Sequence, residues 1–357
     1  MSPAERIPIR SGMGYEVLTG PGLLPTAGTL LAPVLRGAQR LAVVTDSHVA
    51  PLYLRPLREA LESADFTVSC RIFPAGEEHK NLGTFGEILQ FFARCGLDRS
   101  DAAVALGGGV TGDLTGFAAG CYMRGIRFVQ LPTSLLAAVD SSVGGKTAVD
   151  LPEGKNLAGL FHQPSLVLCD TDCLSTLPGA EWKNGLAEAV KTAVLAGNEL
   201  FRLLESDCAR KHSEKIIGLC VRYKGGVVER DERERGERKL LNLGHTAGHA
   251  IELCSGYSVP HGLAVSMGLA LITRWAARRG FCDRRDAERI LLLLRALSLP
   301  TGCDYTPQEL ADAALRDKKR AGGTITLAVP ARIGDCRLCR VPTDDLADIF
   351  ALGMEAL

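Results

Sequence analysis

Hydrophobic positions change their spacing about halfway along the chain, and the change predicts two kinds of structure. Leu41-Ala-Val-Val44 is a short apolar run ending at Thr45-Asp46, the pattern of a buried strand. Apolar residues at helical spacing follow from Leu52 to Leu61, and Phe66 to Phe73 alternates before Pro74-Ala-Gly76. Leu82 to Cys95 carries apolar residues at 85, 88, 89 and 92 and predicts a helix. Ala102 to Leu106 is a third strand-like run and ends in three glycines. Arg127 to Leu131 and Leu166 to Leu168 add further strands. Strand, helix, strand in repetition predicts a parallel α/β sheet.

After Pro178 long amphipathic patterns take over: Trp182 to Leu195, Glu214 to Val228, Thr246 to Leu253, Gly262 to Arg279 and Arg285 to Leu297. Strand signals nearly vanish until Thr324 to Val329. Leu177-Pro178-Gly179 therefore reads as a hinge, dividing an α/β domain over 1–178 from an all-α domain over 179–357. No internal repeat or low-complexity segment interrupts either half.

Composition narrows the partners. The 357 residues are 46% hydrophobic, and 41 Lys plus Arg balance 41 Asp plus Glu. Zero net charge gives no electrostatic case for nucleic acid or a membrane surface as the main partner. The first residues, Met-Ser-Pro-Ala-Glu-Arg, lack a signal-peptide core, and the run Ile290 to Leu294 is too short to span a bilayer. The cytoplasm is the expected compartment. The 12 cysteines are scattered and read as buried free thiols in a chain with a sizeable core. Cys336 and Cys339 form a lone CxxC with no second pair, so a structural role is expected there too.

Ala102 to Asp113 sets Gly107, Gly109 and Gly112 in G-x-G-x-x-G spacing, between a strand and a helix-like segment. That context lets backbone N–H groups and a helix N-terminus cradle a pyrophosphate. The turn follows two βα units, whereas a Rossmann fingerprint normally occupies the first. Asp46, ending the first clear strand, is better placed to meet a ribose hydroxyl. The segment Asp140-Ser-Ser-Val-Gly-Gly-Lys146 resembles a P-loop fragment, but its glycines directly precede the lysine, so a nucleoside triphosphatase is rejected. Lys146, Lys155 and Asn156 nonetheless lie near one another in a polar stretch and predict an anion site.

The helical half carries the metal signal. His245 and His249 stand at i and i+4, with His261 twelve residues beyond, and Glu188 and Lys191 stand at i and i+3 in an apolar helix. Two histidines with one carboxylate form a catalytic zinc set that leaves a position open for substrate. Spacing alone favours both His245 and His249 as ligands. Lys224 and Arg238 flank a charged stretch, Asp231 to Gly236, and Asp317-Lys318-Lys319 follows later. A solvated charged face accounts for most of these. Arg238, seven residues before His245, would share the histidines' face if one helix continued through both.

Taken together these segments are similar to one family nearly end to end. Pro74 to Lys80, Leu106 to Asp113, Arg124-Gly125, Pro132-Thr-Ser, Asp140 to Lys146, Gly154-Lys-Asn156, Glu188 to Lys191, Asp231 to Glu234, Leu241 to His249, His261-Gly262 and Asp317 to Lys319 resemble the 3-dehydroquinate synthase family of the sugar phosphate cyclases. The resemblance implies a Rossmann-like NAD domain, a helical domain, an active site in the cleft between them, and a homodimer. It implies Glu188, His245 and His261 as ligands to a divalent metal, zinc as a rule and cobalt as an alternative, with His249 turned to substrate. It implies an NAD site lined by Asp46, Glu77, Lys80, Gly108, Gly109, Val110, Asp113, Thr133, Ser134 and Thr176, with Lys146 and Lys155 adjoining. Asp140, Lys146, Lys191, Arg238, Asn242 and His249 would serve catalysis. Arg124, Lys155, Asn156, Lys224 and Lys318 would bind the sugar phosphate, Arg124 by reaching a neighbouring subunit's site.

The implied reaction converts 3-deoxy-arabino-heptulosonate 7-phosphate to 3-dehydroquinate and phosphate, with NAD oxidising and then reducing the substrate. The substrate phosphate would act as its own base, with His249 a candidate proton relay. Two positions depart from the family pattern: Leu263 where Glu is common and Ala247 where Phe is common. Rival readings are a cyclase for another sugar phosphate (amino-dehydroquinate, 2-deoxy-scyllo-inosose or valiolone type) and a metal-dependent alcohol or glycerol dehydrogenase. Arg238, Asn242 and Lys318 favour the dehydroquinate type over the inosose and valiolone types.

Overall fold

The computed structural model describes residues 4–206, 209–316 and 323–357. They form two compact units, Met1–Pro178 and Gly179–Leu357. The first holds a seven-stranded sheet. Its strands are β1 (Glu5–Ile9), β2 (Tyr15–Gly20), β3 (Arg40–Asp46), β4 (Thr67–Phe73), β5 (Ala102–Gly107), β6 (Arg127–Pro132) and, after a separate hairpin of β7 (Lys146–Leu151) and β8 (Gly154–Phe161), β9 (Leu166–Asp170). The sheet order is β1-β2-β9-β6-β5-β3-β4. Every neighbouring pair is parallel except β1 with β2.

Helices cover both faces because the strands bury both faces. Leu41, Val43, Val104 and Leu106 pack with Leu31 of α1 (Ala27–Leu31) and Leu57 and Leu61 of α2 (Arg55–Glu62). The intervening Ala42, Val44 and Ala103 pack with Ile88 and Phe92 of α3 (Leu82–Arg94) and Leu114 and Ala118 of α4 (Gly109–Cys121). The parallel α/β expectation is borne out. Periodicity overlooked β1, β2 and the β7–β8 hairpin; β8 is mostly half-exposed, so its apolar signal is weak.

The strand order answers why the glycine turn comes late. From β3 the chain steps outward to β4, then returns to β5 on the other side of β3. The sheet therefore reverses direction between β3 and β5, and ligands in such sheets bind outside the carboxyl ends at that point. Asp46 ends β3 and Gly107 ends β5.

The second unit is helical: α5 (Gly179–Ala196), α6 (Asn198–Glu205), α7 (Ser213–Arg230), α8 (His245–Cys254), α9 (His261–Arg278), α10 (Arg284–Ala296), α11 (Pro307–Arg316) and α12 (Leu346–Met354). It also carries one antiparallel hairpin, β10 (Thr324–Arg332) with β11 (Asp335–Pro342), so the unit is not all-α. Helix α9 is buried on most of its circumference, with Val265, Leu269, Ile272 and Ala276 in the core. It packs against α5, α8, α10 and α12. The described cysteines are all free thiols, and burial pushes the Cys336 thiol up to about 12. No described helix is long and apolar enough to cross a membrane.

Candidate functional site

In the second unit, three separate helices deliver one cluster. Glu188 from α5, His245 from the first turn of α8 and His261 from the first turn of α9 place one donor atom each within 4.8 Å of one another. Glu188 is completely buried. His245 Nε2 lies 3.6 Å and His261 Nε2 3.4 Å from its Oε1. Lys191 Nζ lies 2.5 Å from Oε2, yet neither carboxylate oxygen accepts a well-formed hydrogen bond. Lys191 thus supplies one cationic partner at Oε2, while Oε1 faces only the two imidazole Nε2 atoms, a place where a further cation would be favoured in so dry a position.

Both imidazoles are fixed from behind. His245 Nδ1 lies 3.2 Å from the Leu243 carbonyl, and His261 Nδ1 lies 3.1 Å from Glu252 Oε2. Each ring thus presents Nε2 to Glu188. Burial pushes His245 down to about 3, leaving it neutral. Burial also acts downward on His261, but the carboxylates of Glu188 and Glu252 on either side of it outweigh burial and raise that ring to about 10. Burial likewise opposes ionisation of Glu188, but Lys191, His245 and His261 hold it well below the usual carboxylate range. The donor set of one carboxylate and two imidazole nitrogens fits a divalent ion of the zinc type.

Two contacts seat α9 at this spot. Gly262 N–H donates to Asn184 Oδ1 at 2.6 Å. A Cβ on Gly262 would stand 1.9 Å from the Asn184 carbonyl oxygen, so only glycine lets α9 start this close to α5. Asn184 precedes Glu188 by one helical turn, and the contact therefore sets His261 against Glu188. His249 is exposed, and its ring centroid lies 5.4 Å from that of His245 and 5.8 Å from that of His261. It does not join the Glu188 group; a second group of donors comprises His249, Glu252 and His261. Sequence reading missed Glu252, although a carboxylate seven residues after His245 shares its helix face.

The cationic residues around the cluster differ from expectation in two ways. Lys224 is buried, at 9% exposure, not on a solvated face; Arg238, set apart from that face by its spacing, is buried too, at 2%. Arg238 also does not share a helix with His245. A 3-10 turn spans Glu237–Asn242, and Gly244, at φ +78°, breaks the chain before α8. Asp231 holds that loop instead, its carboxylate accepting from the N–H groups of Arg235, Gly236 and Arg238 at 2.8–3.0 Å. Arg238 Nη1 donates to the Glu232 carbonyl at 2.5 Å, and Asn242 Nδ2 donates to Glu234 Oε1 at 2.6 Å. Lys318 lies outside the described residues.

In the first unit, Gly107 closes β5, Gly108 caps α4 and Gly109 begins it. Asp46 Oδ1 accepts from the N–H of His48 and Val49, and Thr111 Oγ1 donates to its Oδ2 at 3.3 Å. A Cβ on Gly108 would lie 3.4 Å from Ser134 Oγ, and one on Gly112 would lie 2.6 Å from Gln130 Oε1. Ser134 and Gly108 thus face each other, while Gly112 serves the packing of α4 on β6. Val110 is half-buried beside them and Thr133 is buried. The Tyr53 hydroxyl contacts the Thr176 hydroxyl and donates to the Cys173 carbonyl at 3.0 Å.

A second polar group gathers around Lys80. This buried lysine lies 2.6 Å from Asp113 Oδ2 and donates to Asn156 Oδ1 at 2.6 Å. Burial lowers its pKa, but Asp113 and Glu77 outweigh burial, so the ammonium is held charged. Lys155 Nζ lies 3.5 Å from Glu77 Oε1. The hairpin separates these residues from Lys146. Lys146 pairs with Phe161, whereas Gly154 pairs with Leu151 at the other end, about 15 Å away at the usual strand rise. Lys146 thus opens β7, while Lys155 and Asn156 lie at the start of β8, toward the other end of the hairpin. Asp140 is half-buried in a one-turn π-helical segment, Ala137–Ser141. Arg124 is exposed, at φ +68°, beyond the far end of α4 from the glycine turn.

Residues 70–184 match the model of the 3-dehydroquinate synthase N-terminal family, and residues 185–320 match that of the C-terminal family. A 3-dehydroquinate synthase from Caulobacter vibrioides is 44% identical over 344 residues, covering 92% of this chain and 93% of that protein. Among solved structures, 2-deoxy-scyllo-inosose synthase complexed with carbaglucose-6-phosphate, NAD+ and Co2+ superposes with TM-score 0.88 at 26% identity, covering 97% and 99% of the two chains. A 2-epi-5-epi-valiolone synthase from Streptomyces hygroscopicus subsp. jinggangensis 5008, with NAD+ and Zn2+ bound, superposes with TM-score 0.87 at 28% identity, covering 98% and 99%.

Proposed function

The chain belongs to the 3-dehydroquinate synthase family, and from that premise we propose that it converts 3-deoxy-arabino-heptulosonate 7-phosphate to 3-dehydroquinate and phosphate. The observation that carries the reading is the buried Glu188, which two imidazole Nε2 atoms approach and no well-formed hydrogen bond satisfies. Glu188, His245 and His261 would hold a divalent ion, zinc or cobalt. The glycine turn, with Asp46, Thr133, Ser134 and Thr176, would hold NAD; Glu77, Lys80, Val110 and Asp113 complete that set. Bound there, the ion polarises a substrate alcohol and NAD accepts and returns a hydride.

The chain's own residues supply the rest. Buried Lys224 and Arg238 offer fixed positive charge where a phosphate leaves. Asn242, held through Glu234, orients a substrate hydroxyl, with Lys191 beside the metal position. Exposed His249 can move a proton between substrate and solvent. Asp140, Lys146, Lys155, Asn156, Arg124 and Lys318 complete the substrate and cofactor contacts. A homodimer in the cytoplasm belongs to the same proposal.

Other cyclases enter as structural relatives at 26–28% identity, below the 44% of the dehydroquinate synthase. Metal-loaded protein, incubated with the heptulosonate phosphate and catalytic NAD, should release phosphate and form the carbocycle without stoichiometric NADH. Steady NADH accumulation from a simple alcohol would instead establish a dehydrogenase.

A further inference from the structure

The ring of His261 lies between two carboxylates. Glu188 Oε1 stands 3.4 Å from Nε2, and Glu252 Oε2 stands 3.1 Å from Nδ1. Glu252 is 2% exposed, on the inner face of α8, one turn beyond His249. A carboxylate in so dry a position is expensive to keep unless its partner needs it. The geometry points to Glu252 as a positioning residue: it holds the Nδ1 proton of His261, so that the Nε2 proton is the one a metal ion displaces at the position shared with Glu188 and His245.

The comparison with His245 supports this. That ring is anchored through Nδ1 by a backbone carbonyl, at 3.2 Å. His261 opens α9, and its Nδ1 meets the Glu252 side chain instead. Partners of this kind fix tautomer and ring orientation in metal sites. There is a second consequence. His249, Glu252 and His261 could themselves gather a metal. A proton kept on Nδ1 withdraws His261 from that group and leaves one competent site, the one containing Glu188.

This inference rests on the metal reading proposed above, and the test separates the two. Apo protein is titrated with Co2+ against a chelator while the cobalt visible absorption is followed. Glu252→Ala should weaken metal binding about 10- to 100-fold. Glu252→Gln, whose amide oxygen still accepts from Nδ1–H, should recover part of that loss and keep the wild-type absorption band, because the donors are unchanged. Should the alanine variant fail to fold, Glu252→Leu, which keeps the volume and removes the acceptor, takes its place. Wild-type affinity in a folded variant without the acceptor would overturn the positioning role, and a displaced band in Glu252→Gln would make Glu252 a ligand instead. Wild-type metal affinity in His261→Ala would mean that the metal reading itself has failed.

Discussion

The two candidate sites meet their polar requirements in opposite ways. Around the glycine turn nearly every singled-out residue already has a structural partner. Asp46 accepts from two backbone N–H groups, Lys80 is tied to Asp113 and Asn156, and Gly112 lies against Gln130. Around Glu188 the opposite holds: a fully buried carboxylate faces two imidazoles and a lysine without a well-formed hydrogen bond. Internal partners account for the first set; in the second, Lys191 pairs with one Glu188 oxygen while the other faces only two imidazoles. A buried carboxylate oxygen facing two imidazole nitrogens is therefore the stronger sign of a ligand, while a cradle of backbone groups must be recognised by its place at the switch point of the sheet.

Breaking the second set should have the largest effect. Glu188→Ala removes the carboxylate 2.5 Å from buried Lys191. It should cost about 3–5 kcal/mol in denaturant unfolding and abolish both metal uptake and turnover. Unchanged stability with activity lost would show that the pair is not structurally coupled. Gly262→Ala comes next, since its Cβ would stand 1.9 Å from a backbone oxygen of α5. Overpacking of that kind costs about 1–3 kcal/mol, and displacement of α9 should lower metal occupancy as well, read by metal analysis of the purified variant.

The first set should fail more gently. Lys80→Met leaves the glycine turn in place but removes two charge-assisted contacts, each a matter of about 1.5–3 kcal/mol. Stability in denaturant unfolding should fall by about that much and the KM for NAD should rise, while metal content stays at the wild-type level. Loss of metal in this variant would erase the distinction between the two sites. Smallest of all is Gly86→Ala, in the middle of α3, where a Cβ would meet nothing within 4 Å. It should stabilise by about 0.5–1 kcal/mol, with turnover unchanged.

Much of this was legible in the chain itself. The apolar runs at 41–44 and 102–106 located β3 and β5, because both faces of those strands are buried. The histidine spacing located α8 and the start of α9. What stayed hidden depends on contacts remote in sequence. No local pattern shows that β3 neighbours β5, that Asn184 receives the first turn of α9, or that the helix before His245 is interrupted at Gly244. Extending helical spacing from His245 back to Arg238 failed for that last reason. Lys224 and Arg238 look like surface charges in sequence and are buried, since burial of a cation is decided by its partners.

We propose that Glu188, His245 and His261 hold one metal ion and that His249 does not. Metal stoichiometry after dialysis, measured on the His245→Ala, His249→Ala and His261→Ala proteins side by side, tests it most directly. The His249 variant should keep about one equivalent, as the wild type does, and the other two should lose the ion. Full occupancy in His261→Ala, or an empty His249→Ala, would contradict it.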